Sequence, residues 1–167
     1  LAASGIASGL APGSYLCVHP GARTRDKCWP AQLFAHVADQ LADETGLQVV
    51  LTGSAGEAHL TAAVASHMRN PAVDTAAPLS IGGMAAIMSR ARLLICNDTG
   101  VSHLAAGLKL PSVVIFSKAD IRRWAPVDQQ RHRCLWDPHG TRAVAVLTEA
   151  RALLADCRSV SGRAVQQ

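Results

Sequence analysis

Three stretches of this 167-residue sequence carry side chains and turns suited to gripping an anion. The first is Asn97-Asp98-Thr99-Gly100-Val101-Ser102-His103-Leu104-Ala105-Ala106-Gly107, which follows the apolar run Leu93-Leu94-Ile95-Cys96. A strand that enters a Gly turn and then a small-residue helix presents unsatisfied backbone N–H groups at the helix start, and Gly100 has no side chain to keep a ligand away. That geometry suits a phosphate. A carboxylate at position 98 repels phosphate, but Asp is also a preferred N-cap, so Asp98 is expected to shape the turn. His103 lies one turn further on and reads equally as a buried, hydrogen-bonded histidine or as a donor facing the ligand. Standing alone, the motif is explained as simply by a well-capped helix.

The second stretch, Arg23-Thr24-Arg25-Asp26-Lys27, supplies cations. A helix terminus favours an exposed anion by about 0.3–1 kcal/mol. Losing one member of a buried, hydrogen-bonded charge pair costs about 2–5 kcal/mol. By these magnitudes the Thr99–Gly100 turn orients a diphosphate, while Lys27 holds it. The third stretch, Gly53-Ser54-Ala55-Gly56-Glu57, ends in a carboxylate. Glu57 suits a helix start on electrostatic grounds alone; its functional reading is as an acceptor for ribose hydroxyls. This loop lacks the Lys-Ser/Thr ending of a P-loop, and no G-x-G-x-x-G occurs. The histidines at 19, 36, 59, 67, 103, 132 and 139 show no paired spacing with Cys or carboxylate, so no metal site is expected.

The elements that must position these groups alternate along the chain. Tyr15 to His19 is a short apolar run stopped by Pro20-Gly21, and Leu47 to Thr52, Arg92 to Asn97 and Ser112 to Phe116 are similar runs; Ala72 to Asp74 is a shorter candidate. Between them lie helical patterns. Pro30 opens one with Leu33, Phe34, Val37, Ala38 and Leu41 on one face and Gly46 as its C-terminal cap. Glu57 opens a second with Leu60, Val64 and Met68 inward, and Ser80 caps a third carrying Met84, Ile87 and Met88. A last helix over Arg142 to Asp156 is expected to bury Val144, Leu147 and Leu154, while Ser117 to Pro138 reads as irregular.

Strands that are continuous apolar runs, alternating with helices, predict a parallel sheet covered on both faces. In such a sheet ligands sit at the carboxyl ends of the strands. The exits His19-Pro20-Gly21-Ala22, Gly53 to Glu57, Asp98-Thr99-Gly100 and Ser117-Lys118-Ala119-Asp120 should therefore share one rim.

Composition bounds the partners. Sixteen Lys and Arg against twelve Asp and Glu give a net charge of +4, compatible with anionic ligands and too small to argue for nucleic acid, and no aromatic residues interleave with the basic ones. Five cysteines without a C-x-x-C pair fit reduced thiols in a cytoplasmic protein. No apolar run reaches the roughly 18 residues of a membrane span. Leu1 to Ser14, Gly-rich and without a basic start, reads as a linker or cut end, followed by one domain over residues 15–160 and a tail over 161–167.

Taken in order, His19-Pro20-Gly21-Ala22, Lys27-Cys28-Trp29-Pro30, Leu47 to Glu57, Asn97 to Ala106, and Phe116 with Arg123-Trp124-Ala125-Pro126 resemble the C-terminal half of the heptosyltransferases, glycosyltransferase family 9. The resemblance implies one Rossmann-like half of a GT-B glycosyltransferase. It also implies inverting transfer of heptose from ADP-heptose to a lipopolysaccharide-type, lipid-linked acceptor, on the cytoplasmic side of the inner membrane and without a metal or other cofactor. Carried over by position, Lys27 and the Thr99 and Gly100 backbone would contact the diphosphate, and Glu57 the ribose. Leu79 or Ser80 would lie near the base, and Asp98 and His103 would organise the sugar and phosphate end. His19, Gly53 and Ser102 complete the expected donor site, with Lys27, Asp98 and His103 the expected catalytic contributors.

Two departures stand out. Ser117-Lys118-Ala119-Asp120-Ile121 replaces the Gly-Pro-Thr-Asp-Pro run common in the family. The family's general base, a carboxylate of an N-terminal acceptor domain, has no equivalent here. The alternative to a transferase half is a stand-alone nucleotide-binding or regulatory module.

Overall fold

A computed structural model describes residues 9–163, with side chains described as far as Asp156. The chain runs β1 (Tyr15–His19), α1 (Ala31–Thr45), β2 (Gln48–Leu51), α2 (Ala58–His67), β3 (Ala72–Asp74), α3 (Ile81–Met88), β4 (Leu94–Asn97), α4 (Gly100–Gly107), β5 (Ser112–Phe116), α5 (Ile121–Trp124), β6 (His132–Trp136) and α6 (Ala143–Arg163). Short 3-10 turns occupy Arg25–Lys27 and Ala55–Glu57.

All six strands are parallel, in the order β3-β2-β1-β4-β5-β6. The order reverses between β1 and β4, whose connections leave toward opposite edges of the sheet. Such a reversal opens a crevice at the strand ends, the usual ligand position in an open α/β sheet. The register Val18↔Ile95 and His19↔Cys96 brings the two exits level.

Both faces of the sheet are buried, and the side chains divide by strand period. Leu16, Val18, Val49, Leu51, Ile95, Val113 and Ile115 point to the layer formed by α1, α2 and α6, where Phe34, Val37, Leu41, Val64, Val146 and Leu153 meet them. Tyr15, Cys17, Val50, Leu94, Cys96, Val114 and Phe116 point to the opposite layer, against Met84, Ile87 and Met88 of α3 and Ala105 of α4. Each such side chain contributes about 1.5–3 kcal/mol when fully buried, so the strands need residues that are apolar on both faces. α1 stops at Gly46, whose φ of 69° only a residue without Cβ adopts easily. α3 starts at Ser80, whose Oγ accepts from the Gly83 N–H at 3.1 Å.

Four expectations change. Ser117 to Pro138 is not irregular: it holds α5 and the sixth strand, with Phe116↔Trp136 in register. The inward residues of α2 are Thr61 and Val64, with Leu60 and Met68 half-buried. The last helix turns Val144 outward, 75% exposed, and buries Val146, Leu147, Ala150, Leu153 and Leu154; it also continues to Arg163, through the start of the expected tail. Of the expected linker, residues 1–8 lie outside the described residues, as do 164–167 of the tail. Leu10 packs into the core and the Gly13 N–H donates to Arg90 O at 2.8 Å, so residues 10–13 belong to the domain. Among the described residues no helix is long and apolar enough to cross a membrane.

Candidate functional site

The crevice at the β1–β4 reversal is organised by one buried side chain. Asn97, the last residue of β4, donates from Nδ2 to Pro20 O at 2.9 Å and to Gly21 O at 3.4 Å, while its Oδ1 accepts the Trp29 N–H at 2.9 Å. It thereby closes both ends of the loop that carries Lys27. Trp29 is fixed in turn by Nε1 donating to Asp137 Oδ2 at 2.8 Å and by edge-on packing against Phe34 at 5.1 Å between ring centroids. Asp137 also accepts the Thr141 and Arg142 N–H groups at 2.9 Å each. Burial alone would raise its carboxyl pKa, but these donors outweigh that and hold it below the ordinary value.

Lys27 reaches across the crevice to Asp98, Nζ to Oδ2 at 3.4 Å, with Lys27 side-chain exposure of 29% and Asp98 of 10%. The ammonium therefore stands beside the residue that precedes the α4 amides, on the same end of the sheet. The fourth exit joins this rim, since Lys118 Nζ meets Asp26 Oδ2 at 2.5 Å. Asp98 does not cap α4. Thr99 holds the N-cap position in an extended conformation, and its side chain makes no capping bond. The first-turn amides of α4 are thus left without a side-chain cap from Thr99, and the carboxylate expected to shape the turn is drawn to Lys27 instead.

Behind this turn lies a pocket of about 360 Å³ lined by His19, Gly53, Ser54, Glu57, Leu79, Ser80, Ile81, Met84, Thr99, Gly100, Val101 and Leu104. That volume is within the range of small-molecule sites. One wall is aliphatic, from α3 and α4; the other is polar, from the ends of β1 and β2. Glu57 Oε2 accepts from the Ser54 N–H and the Ser54 hydroxyl, both at 2.8 Å. Burial pushes the Glu57 pKa up, but the Ser54 donors and the neighbouring His19 hold it below the ordinary value, so the group is a carboxylate. His19 is 3% exposed, its Nδ1 lies 3.2 Å from Thr52 Oγ1, and burial lowers its pKa.

Of the residues expected at the site, His19, Gly53, Glu57, Leu79, Ser80, Thr99 and Gly100 line this one pocket, and Lys27 and Asp98 stand at its Thr99 end. Ser102 is not available to a ligand: it is 1% exposed and its Oγ donates to Thr99 O at 2.7 Å, bracing the turn from beneath. His103 is outside the pocket lining, exposed on α4 with its ring 6.5 Å from that of Trp124. The Asn97–Trp29–Asp137 network was not among the expected site residues; a lone Asn or Asp at a strand end signals a turn, and nothing local betrays a partner 68 or 108 positions away.

The family model described as glycosyltransferase family 9 (heptosyltransferase) matches residues 3–153. Lipopolysaccharide heptosyltransferase 1 of Pseudomonas aeruginosa is 36% identical over 107 residues, which are 63% of this chain and 29% of that protein. The solved structure of the Escherichia coli ADP-heptose lps heptosyltransferase II superposes with a TM-score of 0.81 at 22% identity, covering 94% of this chain and 52% of the other. That of E. coli heptosyltransferase WaaC with ADP superposes with a TM-score of 0.75 at 22% identity, covering 90% of this chain and 48% of the other. At such identity these likenesses establish the fold. The chain spans about a third of the length of the curated relatives it matches and about half that of the solved ones.

Proposed function

This chain belongs to glycosyltransferase family 9, and from that premise we propose that residues 15–160 form the donor-binding half of an inverting sugar transferase, with ADP-heptose as donor and a lipopolysaccharide-type saccharide as acceptor. The observation that carries the reading is that Lys27 Nζ lies 3.4 Å from Asp98, the residue before the Thr99–Gly100 turn, and that this turn and the Glu57 carboxylate line one pocket. Diphosphate, ribose and base then fall in order along the crevice: phosphates at Lys27 and Thr99–Gly100, ribose at Glu57, base against the aliphatic wall of Leu79, Met84 and Leu104.

In the reaction the acceptor hydroxyl attacks the anomeric carbon, the bond from that carbon to the diphosphate oxygen breaks, and the hydroxyl proton passes to a carboxylate. That carboxylate belongs to the part of such proteins that this chain's match does not span. The residues here act on the leaving group. Lys27 and the backbone N–H groups of Thr99 and Gly100 sit where negative charge grows as the diphosphate departs, and fixed donors stabilise such charge with little reorganisation. No metal is assigned to this role. Titrating ADP, GDP and UDP into the chain by calorimetry tests the reading. Saturable binding of at least one is expected, strongest for ADP; heat of dilution alone from all three would overturn it.

A further inference from the structure

The loop from Ala22 to Cys28 rests on Asn97 at both ends, and its crown is the 3-10 turn Arg25–Lys27. Two backbone bonds close that turn, Lys27 N–H to Thr24 O at 3.0 Å and Cys28 N–H to Arg25 O at 3.1 Å. Alone they do not hold it, since even isolated helices shorter than about 12 residues are marginal in water. Asp26 supplies the remaining anchors. Its Oδ1 accepts the Thr24 hydroxyl at 2.5 Å, its Oδ2 meets Lys118 Nζ at 2.5 Å, and its backbone carbonyl accepts the Ser117 hydroxyl at 3.4 Å. The Lys118 and Thr24 donors hold the Asp26 carboxyl below its ordinary pKa, so the group is an anion. In a 3-10 turn consecutive side chains diverge by about 120°. Asp26 therefore meets the β5 exit while Lys27 reaches Asp98 at the β4 exit, and the register Asn97↔Ile115 sets those two exits side by side. Lys118 does not line the pocket that holds Glu57; it lines a separate groove with Ile121, Arg122 and Trp136. It also belongs to the run Ser117 to Ile121 that replaces Gly-Pro-Thr-Asp-Pro, in which no residue could supply an ammonium.

We propose that Asp26, anchored to the β5 exit by Ser117 and Lys118, is a positioning residue that aims Lys27 at the diphosphate, and that Lys118 acts on the ligand only through it. This rests on the donor-site reading above and adds what sets the direction of its cation. An ion pair as exposed as Lys118–Asp26 contributes little to stability. Its effect is on order: once the anchor is lost, the Lys27 side chain must be immobilised when the ligand binds, which weakens Kd about three- to tenfold.

The test titrates whichever of ADP, GDP and UDP binds tightest, by calorimetry, into variants whose fold circular dichroism has checked. Lys118→Ala and Asp26→Ala are each expected to weaken binding about three- to tenfold, the double variant no more than the worse of the two, and Lys118→Arg is expected to keep the wild-type affinity. In a Lys27→Ala background, Lys118→Ala is expected to cost nothing further. A further loss there would mean that Lys118 meets the ligand itself and would overturn the inference, as would a wild-type Kd for Lys118→Ala. Hydrogen exchange in the free protein gives a second readout: the Lys27 and Cys28 amides should exchange faster in Lys118→Ala and Asp26→Ala, while the Trp29 amide, held by Asn97, keeps its rate. Unchanged exchange at positions 27 and 28 would overturn the positioning role and leave the donor-site reading intact; absence of binding by all three diphosphates would overturn both.

Discussion

Lys27 is only half committed in the free protein. Its partner Asp98 is 3.4 Å away and the ammonium keeps 29% of its surface, so it can turn toward a diphosphate while still facing the Asp98 carboxylate. Lys27→Ala should lower ADP affinity about ten- to a hundredfold and also lower stability, because the nearly buried Asp98 carboxylate loses its cation; calorimetry and urea denaturation read the two effects separately, and a Kd within twofold of wild type would contradict the role. Asn97 is the contrasting case. Asn97→Ala strips partners from the buried Trp29 N–H and the Pro20 carbonyl, at about 1–3 kcal/mol for each orphaned group, and should shift the urea midpoint clearly downward. The two cases explain what was legible at this scale. A lysine in a basic loop after a strand announces an anion from its type and position. A buried asparagine that fastens a distant loop announces nothing, because its partners are fixed by topology and not by spacing.

Among the elements, the start of α4 is the one whose local chemistry differs most from expectation. The strand, turn and small-residue helix were readable from composition, but the expected Asp98 cap is absent and the bracing comes from Ser102, whose hydroxyl donates back to Thr99 O. Ser102→Ala should accordingly cost about 0.5–1.5 kcal/mol of stability and leave nucleotide affinity unchanged; a tenfold weaker Kd in a folded variant would return Ser102 to the ligand. β6 shows the opposite limit of legibility. His132-Arg133-Cys134-Leu135-Trp136 mixes charge with apolar residues because it is an edge strand, buried at His132 and exposed at Trp136. Its connection to β5 holds only the four-residue α5, so neither the helix period nor a continuous apolar run marked it.

At the scale of the whole molecule, the parallel sheet, both helix layers and the common rim follow from the alternation of apolar runs with helical faces, whereas the strand order β3-β2-β1-β4-β5-β6 does not. Burial of ionisable groups in that sheet sets its response to acid. His19 and His132 both have pKa values lowered by burial, the second with Nδ1 2.8 Å from Ser112 Oγ. The charged neighbours of His19 are Glu57 and, beyond it, His59; those of His132 are Asp128 and Arg131. With folded values below about 6.5 and unfolded values near it, the unfolded chain takes up more protons as pH falls. Stability should be fully present above about pH 6.5 and decline as pH drops through the folded values, which a series of urea melts between pH 8 and 5 would register. A flat stability profile across that interval would contradict the burial of these two rings.

Because a single carboxamide ties residue 29 to residues 20 and 21, the segment between them is an arch with both footings on the same stone. Between those footings the span is fastened again where Asp26 meets Ser117 and Lys118, so a library over positions 22–28 that keeps Asp26 offers a direct way to retune which anion the crevice accepts.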